Sequence, residues 1–428
     1  MFKVQKFVIC ISVIFAVSIS ALIVNAAALS YKDYIDQGKV LISQSKYNEA
    51  IPVFDKAIAL NAQDASAYYY KGKALLLVKK YNDAIIQLNK AISLNANDAN
   101  TYYCKGFALY SLKKYTDAIP AFDKAVALNS NYGIAYYQKG KALLSMEKYS
   151  DAIAQFDKAI ELKSKEANSY FYKGYALYNM KKYTEAQSAF DKTISLDSKN
   201  SNAFYYKGKI LLLLKKYDDA IQQFNKAIGL NAKDANSYYC KGYALYYLKK
   251  NADSLAAFNK AIELNPKYDG AYFYKGKVLL VMKKYSDAIV QFNKVIALAP
   301  KNDDAYFYKG FSLYSLKKYS DSISAFDKAT VLNSKYGKAF LFKGMALYSL
   351  KKYNKAVLEY DKNIKLDPQN ANAYYEKARA LSMLNNSRGA IENLKKAVLL
   401  HKEFKISAKT DTGFNKIRNL KEFISIIK

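Results

Sequence analysis

The chain has 428 residues, with 67 Lys and Arg against 36 Asp and Glu, for a formal net charge of +31. With 51% apolar residues and only five Pro, it has the composition of a folded protein rather than of a disordered polycation. Three Cys exclude a disulfide scaffold. A single His, His401, removes most metal sites and His-dependent catalytic arrangements, and 42 Tyr with no Trp is a bias that calls for a positional explanation.

Lys3 and Lys6 precede an uncharged apolar run from Phe7 to Val24, which closes on Asn25-Ala26-Ala27-Ala28. This order predicts a secretory signal peptide over residues 1–28, cut after Ala26 or Ala28. The run of 18 residues is long enough to cross a bilayer if it is retained as an anchor, although Ser12, Ser18 and Ser20 weaken it in that role. A cytoplasmic chain is the third alternative. Cys10 follows the bulky Ile9 and precedes most of the run, which argues against a lipoprotein cysteine. Cleaved or retained, the basic end stays inside, so the rest of the chain is expected to be secreted or held at the cell envelope.

Everything downstream is periodic. Gly72, Gly106, Gly140, Gly174, Gly208, Gly242, Gly276, Gly310 and Gly344 each follow a Lys and stand 34 residues apart; Gly38 extends the series backward and Ala378 forward. Counting from seven residues before each gives eleven units over residues 31–404, without insertion. One all-α solenoid therefore replaces the two or three domains that length alone suggests.

Each unit reads as two helices. In Ala65–Asp98, Tyr68, Gly72 and Leu75 share one face of the first helix, and Ala84, Leu88 and Ala91 one face of the second. Lys79-Lys80-Tyr81 forms the turn. Asn82 stands where it is expected to cap the second helix, as do Thr116, Ser150, Thr184, Asp218, Ser286 and Ser320. Asn95-Ala96-Asn97 ends it, and Pro266, Pro300 and Pro368 take the place of Ala96 in other units. A helical Gly costs about 1 kcal/mol relative to Ala, so the repeated Gly implies close helix contact, with small residues such as Ala84, Ala118 and Ala152 expected opposite.

Tyr272, Gly276, Leu279, Tyr285, Ala288, Phe292 and Pro300, at these offsets in a 34-residue helix–turn–helix, resemble the tetratricopeptide repeat. Val295 departs from the small residue usual at its place, and position seven is Lys instead of Leu from Lys71 to Lys377. The resemblance covers all eleven units and implies a right-handed superhelical solenoid. For biochemistry it is unspecific, because such arrays serve many partners. Residues 405–428 are expected to cap the stack through an amphipathic helix on Asp411–Lys428 bearing Phe414, Ile417, Leu420, Phe423, Ile424 and Ile427.

A larger period overlies the 34-residue one. Lys73-Ala74-Leu75-Leu76 alternates with Phe107-Ala108-Leu109-Tyr110, and the stretch from Asn95 to Gly106 nearly matches that from Asn231 to Gly242, including Cys104 and Cys240. Successive duplication accounts for this, as does selection for an alternating ligand surface.

The resemblance places positions two, five, nine and twelve of each unit on a concave groove, with position four (Tyr68, Tyr102) in the core. Position two supplies Asn100, Asn168, Asn202 and Asn236. Position five supplies Tyr103, Tyr137, Phe171, Tyr205, Tyr239, Phe273 and Phe307. Position nine alternates Lys141, Lys209 and Lys277 with Phe107, Tyr175, Tyr243 and Phe311, and position twelve adds Tyr110, Tyr178, Tyr246 and Tyr314. Such a trough suits extended or helical segments of partner proteins, unless its rings are spent on packing between units. The family's carboxylate clamp, with Lys at the fifth position and Asn at the ninth, does not carry over.

Lys79-Lys80, Lys113-Lys114, Lys181-Lys182, Lys215-Lys216, Lys249-Lys250, Lys283-Lys284, Lys317-Lys318 and Lys351-Lys352 recur at the turn. They are expected to form a basic ridge, able to attract anionic envelope polymers or lipids or simply to solvate an edge. Nucleic acid fits the same electrostatics, but an exported chain rarely meets it. No phosphate loop, metal-ligand spacing or isolated carboxylate pair occurs, and Cys104 and Cys240 lie four units apart. The expectation is a non-enzymatic protein with no cofactor and no small-molecule substrate.

Overall fold

The computed structural model describes residues 29–428, so the expected signal segment lies outside the described residues. Among the described residues, twenty-two α-helices succeed one another from Tyr31 to Leu400, and no strand occurs. The chain divides between Ala203 and Phe204 into two compact halves. In the first half, pairs such as Ala99–Ser111 with Tyr115–Leu128 and Gly133–Ser145 with Tyr149–Glu161 stack in sequence order. The second half holds the equivalent pairs, among them Asp269–Val281 with Tyr285–Leu298 and Asp303–Ser315 with Tyr319–Leu332.

Several first helices begin on capped ends. Asp98 accepts the backbone N–H groups of Asn100 and Thr101, and Asn302 accepts that of Ala305. The second helices do not use the expected caps. They start one residue earlier, at Tyr81, Tyr115 or Tyr285, with Lys80, Lys114 or Lys284 at the N-cap and no side-chain bond to it. Asn82, Thr116, Ser150, Thr184, Asp218, Ser286 and Ser320 lie inside these helices.

The reason lies in the turn. Residues Lys79, Lys113, Lys181, Lys249 and Lys317 adopt φ near +60°, the left-handed conformation that ends a helix sharply. Lys113 N then donates to Tyr110 O and Lys114 N to Leu109 O, each at 2.9 Å. The chain is thereby redirected within two residues, and the second helix starts before a side-chain cap is reached.

The core follows the 34-residue period. Phe122, Phe156 and Phe190 in the first half, and Phe224, Phe258, Phe292 and Phe326 in the second, are fully buried on second helices. Each faces a first-helix Gly so closely that a Cβ on Gly276 would stand 2.8 Å from Phe292 Cε1. The close contact expected of the Gly is made first to a ring, and the small position contributes as well: Ser254, where other units have Ala, donates to Gly242 O at 2.8 Å, and Ala118, Ala152 and Ala288 at that position are fully buried. Position four is not core: Tyr68 and Tyr102 are half-buried, whereas Ala67 and Thr101, one residue earlier, are buried.

The C-terminal segment caps the array, but not as one helix. Glu403–Thr410 is helical, Thr412–Phe414 forms a 3-10 turn, and only Lys421–Ile427 is helical beyond it. Gly413 inside the expected helix and Asp411, which bonds the Gly413 N–H, favour the turn. Phe414, Ile417 and Phe423 are fully buried against Leu381, Ile391 and Leu394 of the last pair, while Ile424 stays exposed.

Candidate functional site

The structure separates the expected groove residues into three kinds. The position-two amides Asn100, Asn168, Asn202 and Asn236 are exposed, and Asn100 accepts a 2.8 Å bond from the Tyr132 hydroxyl. The position-five rings are largely structural. Tyr137 and Phe307 are buried, and Tyr103, Phe171, Tyr205, Tyr239 and Phe273 half-buried. All lie against the core Phe of their own unit, with centroids 6.1 Å apart for Tyr103 and Phe122 and 6.0 Å for Phe273 and Phe292. Burial pushes the Tyr103 hydroxyl up to about 12, so it is neutral under physiological conditions. These rings form the floor of the first-helix face rather than a free contact surface.

Position nine carries the most organised feature. Lys141 Nζ lies 5.0 Å from the Tyr110 ring, 5.6 Å from Tyr137 and 5.8 Å from Tyr172. In the second half Lys277 Nζ lies 5.2–5.8 Å from Tyr246, Phe273, Tyr274 and Tyr308. Each cage thus draws on three successive units: position twelve of the one before, position five of its own (joined by position six, Tyr274, around Lys277), and position six of the one after. Lys209 likewise sits over Tyr205 and Tyr206. Cation–π attraction of this kind is worth from about 0.5 to 2 kcal/mol, rising with desolvation.

The cages give a physical meaning to the alternation between units. Lys141, Lys209 and Lys277 at position nine each follow a unit with Tyr at position twelve (Tyr110, Tyr178 and Tyr246), which fits the alternation of Lys-bearing and Tyr-bearing units. The aromatic position-nine residues pack instead of caging: Tyr243 meets Tyr247 and Tyr274, and Phe311 meets Phe342. At position twelve, Tyr110 and Tyr314 also rest on Tyr115 and Tyr319 of their own turns. Position six, which supplies Tyr172, Tyr274 and Tyr308, is absent from the expected groove set. It precedes position nine by three residues, and that helical neighbour spacing is the signal that points to it.

The Lys at position seven has a separate role. Lys139 Nζ lies 2.5 Å from Asp123 Oδ1, Lys173 2.6 Å from Asp157 and Lys377 2.6 Å from Asp361, each linking a unit to the one before. At Lys275, where Asn259 replaces the acidic residue, burial holds the ammonium below its ordinary value.

The turn lysines Lys79-Lys80, Lys113-Lys114, Lys181-Lys182, Lys215-Lys216, Lys249-Lys250, Lys283-Lys284, Lys317-Lys318 and Lys351-Lys352 are all exposed. Lys250 approaches Asp218 at 3.3 Å and Lys182 approaches Glu185 at 3.9 Å, pairs that solvent screens strongly. Cys104 and Cys240 are buried free thiols, raised to about 12 by burial. Among the described residues no group of His, Cys, Asp or Glu is placed to hold a metal ion, and no helix is long and apolar enough to cross a membrane.

The chain matches the family model of anaphase-promoting complex, cyclosome, subunit 3 over residues 43–125, 145–227 and 189–261. Two tetratricopeptide-repeat models match residues 103–167 and 239–303, and residues 344–385. No curated protein matches the chain. Among solved structures it is similar to YrrB, described as a TPR protein with an unusual peptide-binding site, at 26% identity over 44% of this chain and 98% of that one, with a TM-score of 0.40. It is also similar to MamA (25% identity, 40% and 94% covered, TM-score 0.38). The Cut9–Hcn1 hetero-tetramer of APC/C is similar over 94% of this chain and 97% of that one, at 13% identity and a TM-score of 0.43.

Proposed function

The chain is an all-helical solenoid that carries tetratricopeptide repeats, and from that premise we propose that it is a non-enzymatic scaffold whose first-helix face binds segments of other proteins outside the cytoplasm. The array is read as eleven 34-residue units over residues 31–404, preceded by a signal segment and closed by residues 405–428. The observation that carries the reading is the preformed first-helix face. Its rings are already ordered by the Phe core, so a partner segment would meet a rigid surface with exposed Asn and part-exposed Lys and Tyr, at little entropic cost of ordering the scaffold. The signal segment is what supports an exported location.

The turn lysines favour a second reading, as a binder of anionic envelope polymers or lipid surfaces. Lys holds a left-handed backbone position where Gly is the unstrained choice, which suggests that its charge is retained for a purpose.

A pull-down from the native cell envelope separates the two, with the protein purified as its own cell processes it and used at low and high salt. Tyr103 and Tyr239 are poor test positions because they support the core. The groove variant is Asn100→Ala with Asn168→Ala, both exposed, and the turn variant Lys215→Gln with Lys216→Gln and the corresponding Lys of the neighbouring turns. A discrete protein retained at high salt by the turn variant and lost by the groove variant is the expected result. Recovery of anionic polymer alone, lost at high salt and with the turn variant, would overturn the scaffold reading.

A further inference from the structure

The ring cages hold something unfinished. An ammonium has three N–H donors, and aromatic faces attract its charge without accepting those protons as an oxygen does. Elsewhere on the first helices the chain supplies the missing oxygen: Lys139, two residues before Lys141, has Asp123 at 2.5 Å, and Lys343 has Asp327 at 2.6 Å. Lys141 and Lys277 are different. Among the described residues no carboxylate and no hydrogen-bond acceptor meets either Nζ, although both side chains remain part-exposed.

The last unit shows what a caged cation of this array does when a carboxylate is within reach. Arg379 occupies the same position nine, stacked 4.5 Å over Tyr348 of the preceding unit. Its Nη1 lies 2.6 Å from Glu376 Oε2 and its Nε 3.0 Å from Asp411 Oδ2. Asp411 reaches it from beyond the end of the array, from the side where Tyr172 and Tyr308 of the following units close the cages of Lys141 and Lys277. For those two lysines the exposed side is the one left for an acceptor.

We propose that the first-helix face selects acidic segments, with Lys141 in one half and Lys277 in the other each receiving an Asp or Glu carboxylate from an extended partner peptide. The inference rests on the reading of this face as the partner site. The rings give the selectivity its form: they fix each ammonium and remove part of its water, so that a carboxylate gains more there than at the solvated turn lysines. They also cover the methylenes of the incoming side chain.

The test uses two short labelled peptides, one of alternating Glu and Thr and one of alternating Gln and Thr, read by fluorescence anisotropy at ~0.15 M salt. The acidic peptide is expected to bind the protein, and the Gln peptide at least about tenfold more weakly. Lys141→Met with Lys277→Met keeps the cages filled and should reduce acidic-peptide binding to the Gln-peptide level. Lys141→Arg with Lys277→Arg should restore it, and the helical circular-dichroism signal checks that each variant is folded. Lys283→Gln with Lys284→Gln should leave binding within about twofold. Acidic-peptide binding unchanged in the Met variant, or no preference for Glu over Gln, would overturn the proposal and leave the groove open for other segments. Binding abolished by the turn variant and kept by the Met variant would overturn both the proposal and the groove reading. Failure of the acidic peptide to bind overturns the proposal alone, because the pull-down tests the groove with native partners.

Discussion

Gly310 and Phe326 meet so closely that a methyl group added to the glycine would stand 2.7 Å from Phe326 Cε1. Helix propensity alone predicts that Gly310→Ala stabilises by about 1 kcal/mol. Overpacking a full core costs about 1–3 kcal/mol, and here the ring has no free space to enter. The expected net effect is a destabilisation of up to about 2 kcal/mol. The last unit shows the compensated alternative, with Ala378 in place of Gly and Leu394 in place of Phe, both fully buried. Phe326→Leu added to Gly310→Ala should therefore recover about 1 kcal/mol of the summed single losses. Repeat arrays need not unfold in one step, so the readout is hydrogen exchange of Asp303–Ser315 and Tyr319–Leu332. Simple additivity of the two changes would show that ring and glycine are not fitted to each other.

Lys113 sits at φ 60° with no side-chain function visible in the fold. A left-handed residue with a Cβ is strained by roughly 1–2 kcal/mol, of which glycine's greater freedom in the unfolded chain returns part. Lys113→Gly should raise stability by about 0.5 kcal/mol and Lys113→Ile lower it by about 1 kcal/mol or more, because β-branching worsens the same clash. Thermal unfolding of the two variants checks the sign. If the glycine variant loses stability, the turn lysine contributes through a contact other than its backbone.

The contrast between these positions explains how much was legible in the sequence. Gly72 to Gly344 at a fixed step, with a large buried residue (Leu88, Tyr360 or a Phe) at a second fixed step, dictates paired helices, because that arrangement seats each large side chain against a Gly. The turn was harder to read. Asn82 and Thr116 look like caps in one dimension, but the left-handed Lys before them starts the helix one residue early, and backbone handedness at a non-glycine residue leaves no compositional trace. Which of the groove rings pack between units is left open by the sequence for a related reason. Position five faces the right way, yet its rings lean on the core Phe, and whether a Tyr lies flat on its neighbour or stands toward solvent depends on packing between units. The cages are the reverse case: Tyr274 and Lys277 are three residues apart, which is legible, but Tyr246 and Tyr308 come from other units.

Lys343 joins two carboxylates into a clamp between units. Its ammonium lies 2.6 Å from Asp327 and 2.9 Å from Glu359, and Glu359 is buried, with Lys362 at 3.0 Å on its other side. Lys343→Met should destabilise Gly337–Ser349 and Tyr353–Leu366 by about 2 kcal/mol, because it leaves the buried Glu359 carboxylate with only the more exposed Lys362 as its partner. Asp327→Asn, at a half-exposed site, should cost under about 1 kcal/mol. Burial pulls the Lys343 ammonium down, but the bonds to Asp327 and Glu359 outweigh it and hold the group above its ordinary 10.5. A raised folded value means that the stabilisation is fully present below pH 10.5 and is lost as pH rises through the folded value. Exchange protection of these two helices should fall in that alkaline window in the native protein, with no such step in the Met variant.

Cys104 and Cys240 supply one thiol to each half and are each only 7% exposed. Burial raises both to about 12, so that near neutrality almost none of either is the reactive thiolate. A disulfide reagent at neutral pH should therefore label the folded protein at least about 100-fold more slowly than the denatured one. The labelled residue then reports which half has opened: Cys104→Ser leaves Cys240 to follow the second half, and Cys240→Ser leaves Cys104 to follow the first. Rapid labelling of Cys104 in the native state would mean that the pair Ala99–Ser111 and Tyr115–Leu128 opens far more readily than its buried core implies. The same titration bears on export. The third cysteine, Cys10, lies in the expected signal segment. Denatured protein from its native cell should yield two thiols if that segment is removed and three if it is retained as an anchor, and two is the number expected of a secreted scaffold.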